Sequence, residues 1–450
     1  MITFLYILAF IGFVWLGLCA LPAGMEARMP MPYLIALTPF LWVPLVIFAG
    51  IGAWQHEWGV VSLLLVAALM TSSQRISYWG TGIKPQSTRD TSRETGRETP
   101  HTPTAKDTKQ AGNSQKSNDS AAPTTTDASQ SAQSSATPSP SSATRETARE
   151  TLPPQFAVMT LNCRYGRADA DDIVENVRTR GIVVLALQEV SDDLIARLDA
   201  AGVAQLLPYR QSGEPKGSDN GGYNVIFSRY EPAAAVPNVV AIPAADVPAV
   251  TLRLAGEDGG THAASRFGGD GSADGNDDND GNGSDTYGTA AGNDSGVGNT
   301  DRGAVNTANS TAASTANGTA GHAPERTVTF CSAHPKSPMR GCEDWSAGIL
   351  GLRSIAGAKL IGDHNIAVVM GDLNSSTDHP SFRALLKGGF KDASLTQGTG
   401  PHLTFPSWLR WPRIELDHIL FTRGLKPSGV ESFVVKDTDH LALVATLSLR

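Results

Sequence analysis

The sequence predicts an α/β core in which β-strands alternate with amphipathic helices. The segment Ile182 to Leu187 is a near-continuous apolar run, as expected of a strand that is buried on both faces. The helix predicted over Ala170 to Arg180 places Ile173, Val174 and Val177 on one face. Polar residues follow several apolar strands directly, which is where open α/β sheets place their ligands.

The predicted elements fall into two blocks, 155–254 and 324–450, which together hold roughly 225 residues and suffice for one large core. The first block contains the strand Phe156–Leu161, the helix Ala170–Arg180, the strand Ile182–Leu187, a short helix capped by Ser191 and the strand Val225–Ser228. The second block contains the helix Trp345–Ile361 and the strands Val328–Ser332, Ile366–Met370, Leu416–Thr422, Val430–Val435 and Leu441–Leu449.

Residues 1–79 have the composition of a membrane region. Three apolar runs cover 2–21, 33–54 and 58–71, and the first two reach the roughly 20 residues needed to cross a bilayer core. We therefore expect about three transmembrane helices. A cleaved signal peptide is the alternative for the first run, although a basic segment at its start is missing.

The sequence contains only weak signals for the orientation of the chain in the membrane. Arg75 and Lys84 by themselves favour a cytoplasmic C-terminal side. Three spans that start from an inside N-terminus place the core outside instead, and the following segment resembles the low-complexity linkers of secreted proteins. We therefore expect a multi-pass cell membrane protein with an extracytoplasmic core.

Two segments are too polar to form a core. The Ser/Thr/Pro-rich linker 80–152 and the Gly/Asn/Asp-rich insertion 255–323 bury too little apolar surface to offset chain entropy, so both are predicted to be disordered. The insertion interrupts a domain that spans 153–450. Its Asp-rich centre lacks the spacing of an EF-hand loop, which leaves a calcium-sensing role as an alternative only.

Charge and cysteine content exclude some classes of protein. The net charge of −8 argues against a protein that grips nucleic acid through a global basic surface. None of the four cysteines forms a CxxC pair, so a zinc ribbon or a thioredoxin-like motif is not expected. We treat Cys19, Cys163, Cys331 and Cys342 as structural or unpaired.

Eight polar residues at strand ends form the candidate site. Each alone has a simpler explanation as a turn, cap or structural residue, and the set is what indicates chemistry. Carboxylate and amide oxygens suit magnesium or manganese, and such an ion can polarise a phosphoryl oxygen. Asparagine and histidine can hold the other phosphate oxygens, and an Asp–His pair supplies an oriented imidazole. The eight are Asn162, Glu189, His334, Asp372, Asn374, Asp417, Asp439 and His440.

These residues stand in six ordered motifs through which the core resembles the endonuclease/exonuclease/phosphatase superfamily, whose members have a DNase I-like fold. The motifs are Leu161-Asn162, Gln188-Glu189-Val190, Ser332-Ala333-His334-Pro335, Gly371-Asp372-Leu373-Asn374, Leu416-Asp417-His418-Ile419 and Thr438-Asp439-His440. Trp345 and the stretch Leu403 to Pro406 resemble a bacterial subgroup with several membrane helices before the catalytic domain. His418 replaces a common aromatic residue, and we interpret it as a packing variant.

The resemblance implies a four-layer sandwich of two packed mixed β-sheets flanked by helices. It also implies a metal site in which Glu189 is the main carboxylate, helped by Asn162 and Asp439. The implied roles at the substrate are held by the other five residues: Asp372 positions or deprotonates water, Asn374 and His334 contact phosphate, and His440 contacts the scissile phosphate, oriented by Asp417. Whether Asp372 or His440 is the general base stays open.

The function that follows from the resemblance is a membrane-tethered, magnesium- or manganese-dependent hydrolase of phosphoric esters, of the phosphodiesterase or endonuclease kind. A non-catalytic surface-binding module on the same fold is the alternative. The expected substrate is a phosphodiester or phosphomonoester, and nucleic acids and lipid head groups both fit. Nothing in the sequence predicts an obligate protein partner.

Overall fold

A computed structural model describes residues 1–80, 151–216, 221–255, 326–357 and 365–450. The predicted linker 80–152 and insertion 255–323 lie almost entirely outside these residues. The described strands are β1 (Gln155–Asn162), β2 (Ile182–Val190), β3 (Tyr209–Ser212), β4 (Tyr223–Ser228), β5 (Ala234–Val236), β6 (Ala249–Arg253), β7 (Thr327–Ser332), β8 (Asn365–Asp372), β9 (Lys391–Asp392), β10 (Asp417–Phe421), β11 (Leu425–Val434) and β12 (Leu441–Leu449).

Helices occupy the N-terminal region and the two outer faces of the core. The described α-helices are α1 (Ile2–Leu18), α2 (Met31–Leu37), α3 (Trp42–Trp54), α4 (Trp58–Ser73), α5 (Ala170–Thr179), α6 (Asp192–Ala200), α7 (Val203–Leu206), α8 (Cys342–Gly351), α9 (Arg353–Gly357), α10 (Pro380–Lys387) and α11 (Ala393–Gln397). Short 3₁₀ helices cover Thr38–Phe40, Gln74–Tyr78 and Pro338–Arg340.

The strands form two six-stranded mixed sheets. The first sheet has the order β11-β12-β1-β2-β4-β3, and the second has the order β5-β6-β7-β8-β10-β9. One apolar core lies between the sheets, where Phe156 packs edge-to-face on Phe330 at a centroid distance of 5.7 Å. A second core joins α5 and α6 to the first sheet, and a third joins α8 and α10 to the second. The four-layer α/β sandwich is thus confirmed.

Local sequence explains most of these elements. The side chain of Asp169 accepts a hydrogen bond from Asp172 N at the start of α5, and Ser191 does the same for Leu194 N at the start of α6. The single helix predicted over Trp345–Ile361 is wrong: α8 and α9 are separate, and residues 358–364 lie outside the described range. The break follows Gly351, a residue that weakens helices and that packs closely on Ile242.

The N-terminal region is a small helical bundle. The helices α1, α3 and α4 pack on one another through a buried apolar cluster, and their outward faces are apolar as well. Among the described residues, one helix is long and apolar enough to cross a membrane, Trp58–Tyr78. The pair Met31–Phe40 and Trp42–Trp54 becomes a second candidate if it counts as one span, although it bends by 63°. The expectation of about three transmembrane helices is therefore not confirmed.

The helical bundle packs directly on the sandwich. The Tyr78 hydroxyl donates a hydrogen bond to the buried Glu415 carboxylate, and Arg383 of α10 donates to Cys19 O. The ring of Phe40 contacts Trp411 edge-to-face at 5.7 Å. These contacts involve the end of α1, the start of α3 and the end of α4. One end of the bundle therefore rests on the core, in addition to any covalent tether.

Candidate active site

Topology brings the predicted site residues to one end of the sandwich. The strand pairs β1/β2 and β7/β8 are parallel, so Asn162, Glu189, His334 and Asp372 all lie at or just beyond strand ends on the same side. The partners β12 and β10 run antiparallel to β1 and β8, so their first residues lie at that same side. Within the register, Asp417 stands directly opposite Asp372.

The backbone at two site residues adopts a conformation that is rare outside glycine. Glu189 has φ 53° and Asn374 has φ 48°, both in the left-handed region. Such strain persists where surrounding contacts fix the chain, and it is concentrated at functional sites. The Tyr165 N–H donates to Glu189 Oε2 at 3.0 Å, and the Trp345 indole donates to Asn374 O at 2.9 Å. These contacts hold both residues at the site.

Gly371 allows two strands of the second sheet to approach each other closely. Its φ is 155°, and a Cβ atom there would lie 1.8 Å from the carbonyl oxygen of Ala333. Ala333 N in turn donates to Met370 O at 2.9 Å. Glycine at this position thus sets the spacing between the chain that carries His334 and the strand end that carries Asp372.

Asp372 is the centre of the polar cluster. Its Oδ2 accepts a hydrogen bond from Asn162 Nδ2 at 3.0 Å, and its Oδ1 accepts from Asn374 N at 2.8 Å. Two imidazoles face the same Oδ2, with His334 Nε2 at 3.5 Å and His440 Nε2 at 3.6 Å. Asp372 is almost completely buried. Four of the predicted residues therefore meet around one carboxylate.

The predicted Asp–His pair is formed. His440 Nδ1 lies 2.7 Å from Asp417 Oδ2, and both side chains are buried. The Asp417 N–H points to Thr404 Oγ1 at 3.3 Å, which fixes the start of β10. The ring of Phe405 lies against the imidazole at a centroid distance of 4.9 Å. The pair is consequently oriented by packing on one side and by Asp417 on the other.

The remaining predicted residues lie at the same cavity. Glu189 Oε1 accepts a hydrogen bond from Asn162 Nδ2 at 3.2 Å. Asn374 Nδ2 donates to Pro335 O at 3.1 Å, beside the loop that holds His334. Asp439 is partly exposed and pairs with Arg164 at 3.6 Å. All eight predicted residues therefore converge on one region of the molecule.

The charged groups of the cluster raise the pKa values of its histidines and lower the pKa of Asp372. Burial disfavours a charged imidazole, but the carboxylates of Asp417 and Asp372 outweigh it and raise the pKa of His440 to about 10. For His334, burial also opposes the charge, and Asp372 and Glu189 still raise its pKa. Burial opposes ionisation of Asp372, yet the two histidines hold the pKa of this carboxyl far below its ordinary range.

The donor set fits a hard divalent cation. Glu189, Asp372 and Asp439 supply carboxylates at one cavity, and such oxygens are the ligands that magnesium and manganese prefer. Asp372, Asp417 and His440 also offer ligand atoms within 4.8 Å of one another. However, an imidazole that stays protonated cannot ligate a metal, which favours the carboxylate side at Glu189. Asn162 here turns its amide nitrogen to Glu189, and its Oδ1 accepts from Arg164 N.

Several residues that support the site were not predicted as such. Gln188 joins the two sheets, because its Nε2 donates to Ser332 Oγ at 3.0 Å. Tyr165 and Arg340 meet at the cavity, at 3.0 Å. Tyr165 lies in a left-handed turn after β1 that also contains Gly166. The position of this glycine beside a strand end was the one signal in the sequence that could have indicated the turn. A contact between distant segments leaves no such signal in the sequence.

His418 is a correction to the sequence analysis. It is not a simple packing variant, because its Nδ1 lies 2.9 Å from Asp392 Oδ2 and its Nε2 lies 2.8 Å from Ser375 O. As the neighbour of Asp417 on β10, it points to the opposite face of the sheet. β10 therefore contributes Asp417 to one Asp–His pair on one face of the sheet and His418 to a second pair on the other face. The second pair is fully buried, together with Glu415.

A cavity of about 530 Å³ opens at the cluster. Its polar wall includes Asn162, Glu189, Asp372, Asp439 and His440. The arrangement can bind an anionic phosphoryl group between the two imidazoles, with a carboxylate beside it to accept a proton. These features are those expected of a hydrolase of phosphate esters.

Comparison with known families agrees with this chemistry. Residues 159–440 match the Endonuclease/Exonuclease/phosphatase family, and the chain belongs to that family. It is accordingly an enzyme that hydrolyses phosphoric ester bonds, in a family that generally uses divalent metals. A comparison with curated proteins finds no match.

A comparison with solved structures finds proteins that are similar to this chain. An endonuclease/exonuclease/phosphatase family protein from Leptotrichia buccalis is 11% identical, with a TM-score of 0.40 over 65% of this chain and 100% of that one. The corresponding protein from Bacteroides vulgatus is 17% identical, with a TM-score of 0.41 over 66% and 99%. The human nocturnin catalytic domain, solved with bound sulfate, is 16% identical, with a TM-score of 0.36 over 67% and 97%.

Proposed function

We propose that the protein is a membrane-tethered, magnesium- or manganese-dependent phosphodiesterase that uses an Asp–His pair and acts outside the cell membrane. The observation that supports this most is the convergence of the eight polar residues: six of them line one cavity, and His334 and Asp417 lie directly behind it, against Asp372 and His440. A non-catalytic binding module predicts that members of the set have been lost. The site retains each of them, which favours catalysis.

The reaction divides between Asp372 and His440. A water oxygen forms a bond to phosphorus while the bond from phosphorus to the leaving oxygen breaks. Asp372, ionised because two histidines lower its pKa, accepts the proton of the attacking water. His440, held protonated by Asp417, donates to the non-bridging oxygens as charge develops there. The leaving oxygen takes a proton from solvent and Asp372 releases its proton to solvent, so one water is consumed for each ester cleaved.

The metal is expected on the other side of the cluster. Glu189 would be its main ligand, with Asn162 and Asp439 completing the protein contribution. When bound, a divalent ion stabilises negative charge on the phosphoryl and leaving oxygens. His334, whose pKa is raised by Asp372 and Glu189, lies between the two halves and donates to the phosphate. Asn374 completes the contacts to phosphate.

Substitution of the site tests the catalytic part of the proposal. With bis(4-nitrophenyl) phosphate as substrate, we expect Glu189→Ala, Asp372→Ala and His440→Ala each to lower kcat by about 10²-fold or more. Asp193→Ala, at an exposed carboxylate paired with Arg197, is the control and is expected to keep full activity. Chelation should abolish hydrolysis, and magnesium or manganese should restore it. Full activity in the chelated protein contradicts the proposal.

The orientation is supported by the direction of the helices. The end of α1, the start of α3 and the end of α4 all lie against the core. If each of these three helices crosses the membrane, Met1 and the core lie on opposite sides. With Met1 inside, the core is outside. Protease treatment of intact cells should then release the fragment that follows the linker. A C-terminus that stays protected until the cells are lysed contradicts this placement.

A further inference from the structure

One wall of the active-site cavity comes from the N-terminal apolar region. Pro32, Tyr33 and Ala36, all on α2, line the same cavity as Glu189 and His440. These three residues lie in a segment that the sequence assigns to the membrane region. The cavity therefore has a phosphate-binding side built by the sandwich and a second side built by a membrane-region helix.

This wall is a fixed part of the structure. Glu26, which precedes α2, is fully buried and accepts a hydrogen bond from Ser381 N at 2.6 Å, at the start of α10. Gly24 N donates to Ser381 Oγ at 3.2 Å, and His379 Nε2 lies 2.9 Å from Pro32 O. A buried carboxylate at a helix N-terminus is favourable and costly to separate. These bonds hold α2 beside the site.

Further apolar side chains line the cavity, together with the polar residues Ser337, Arg340 and His379. The apolar ones are Phe405, Ile414, Leu416, Pro338 and Met339. The Met339 side chain is 79% exposed, which leaves a large apolar group at the rim of the cavity without cover. Met339 extends the apolar lining to the rim of the cavity.

Exposed aromatic residues continue this surface to the helical bundle. Trp408 is 64% exposed and Trp411 is 57% exposed, both in the loop that follows Phe405. Trp411 packs on Phe40, at the end of the bundle that rests on the core. Tryptophan is enriched at the level where a membrane meets water. The apolar side of the cavity therefore lies at the level expected for the bilayer surface.

We infer that the substrate is a phosphate ester that carries a hydrocarbon chain and is drawn from the bilayer, with its phosphate among Glu189, Asp372 and His440 and its chain along α2. This inference rests on the proposed function. The cavity volume of about 530 Å³ is in the range of small-molecule sites. The net charge of −8 supplies no general attraction for a polynucleotide. The reaction is the one described above, with one P–O ester bond cleaved by water.

The test compares two diesters that share one scissile bond. Hexadecyl 4-nitrophenyl phosphate and ethyl 4-nitrophenyl phosphate both release nitrophenolate, and both are given to the full-length protein in the same nonionic micelles with magnesium. We expect kcat/KM to be at least about tenfold higher for the hexadecyl ester, the factor that corresponds to burial of about two methylene groups. A 20-nucleotide single-stranded DNA is assayed in parallel.

Variants separate binding of the chain from simple partition into micelles. Tyr33→Ala and Met339→Asp should each lower the hexadecyl-to-ethyl ratio about tenfold, and Met339 is exposed enough for its substitution to leave folding intact. Tyr6→Ala, on the exposed face of α1 and away from the cavity, is the matched control and should leave the ratio unchanged.

Each result has one meaning. A ratio near one, or a high ratio that neither variant at the cavity lowers, overturns the inference while the proposed function stands. DNA hydrolysed with a higher kcat/KM than the hexadecyl ester also overturns it. If neither diester nor DNA is hydrolysed, the proposed function itself fails and the inference fails with it. A high ratio that Tyr33→Ala and Met339→Asp lower, and Tyr6→Ala does not, supports it.

Discussion

The substitution Asp417→Asn tests the central electrostatic claim of the site. It removes a buried charge that lies 2.7 Å from His440 Nδ1 and keeps the size of the side chain. The rise in the pKa of His440 from 6.5 to about 10 corresponds to roughly 5 kcal/mol of preference for the imidazolium form. Burial opposes that rise, and Asp417 is the first of the carboxylates that produce it. Its removal should cost on the order of 2–3 kcal/mol.

That loss predicts a fall in kcat of about 10²-fold, with KM changed less than about threefold, because the charge on His440 matters most as the transition state forms. The pH–rate profile gives a second readout. Activity should decline near pH 10 in the unaltered protein, where His440 loses its proton, and at lower pH in Asp417→Asn. Initial rates with bis(4-nitrophenyl) phosphate between pH 6 and 10.5 measure both effects.

The second Asp–His pair on β10 provides a matched control. Asp392 Oδ2 lies 2.9 Å from His418 Nδ1, and both residues are buried, but this pair lies outside the cavity. Asp392→Asn should lower stability by about 1–3 kcal/mol and leave kcat within about threefold. If Asp417→Asn retains kcat, or if Asp392→Asn loses as much, the assigned role of Asp417 is incorrect.

Three further predictions follow from the fold. Gly371→Ala places a Cβ atom 1.8 Å from Ala333 O and should lower the free energy of unfolding by about 3 kcal/mol or more in denaturant titrations. Gly389→Ala, where φ is 118° and the nearest neighbour of the added Cβ atom lies at 3.4 Å, should lower it by less. Equal losses contradict the steric argument. Burial raises the pKa of Glu415 from 4.5 to about 7, and in His418 the carboxylates of Asp392 and Glu415 overcome burial and raise the pKa from 6.5 to about 9. Because both folded-state pKa values lie above the ordinary ones, the contribution of these two groups to stability is complete at low pH and is lost as the pH rises through 7 and 9. The loss from His418 is on the order of 3 kcal/mol. The thermal midpoint should therefore fall between pH 6 and 9.5, and it should fall less in Glu415→Gln; a flat profile refutes the assignment. Replacing residues 256–325 with a short turn should keep kcat within about threefold, because Leu254 N already bonds Arg326 O at 2.9 Å across β6 and β7; a tenfold loss shows that the insertion acts in catalysis.

Contacts that join distant segments could not be predicted. Pro32 and His379 are 347 residues apart in the chain, yet their hydrogen bond helps to place α2 at the active site. The sequence indicates that α2 is apolar and that the linker is polar, which suggests a domain held only by a tether. The sequence does not indicate which surface of the core the helical bundle covers. The direct packing of the two is a result of tertiary structure.

The strand-end residues are a different case. Asn162, Glu189 and Asp372 each follow an apolar run. Because parallel strands end on the same side of a sheet, residues that follow such strands are brought to a common side. Local pattern therefore determined which residues would be brought together. Their resemblance to ordered family motifs added the implied roles. His440 was placed directly before the last predicted strand. Asp417 was placed inside the predicted strand Leu416–Thr422, and the structure shows that β10 begins at Asp417.

What the sequence determined by itself was the set of strands buried on both faces, the polar residues at their ends and the apolar character of the first 79 residues, because each depends on short-range periodicity and composition. Only the tertiary structure decided that His418 bonds Asp392 on the far face of β10, and that Tyr33 lines the same cavity as Asp372 and His440. Such contacts depend on how packed layers fit together, and the shape of a packed interface is not a property of any one segment.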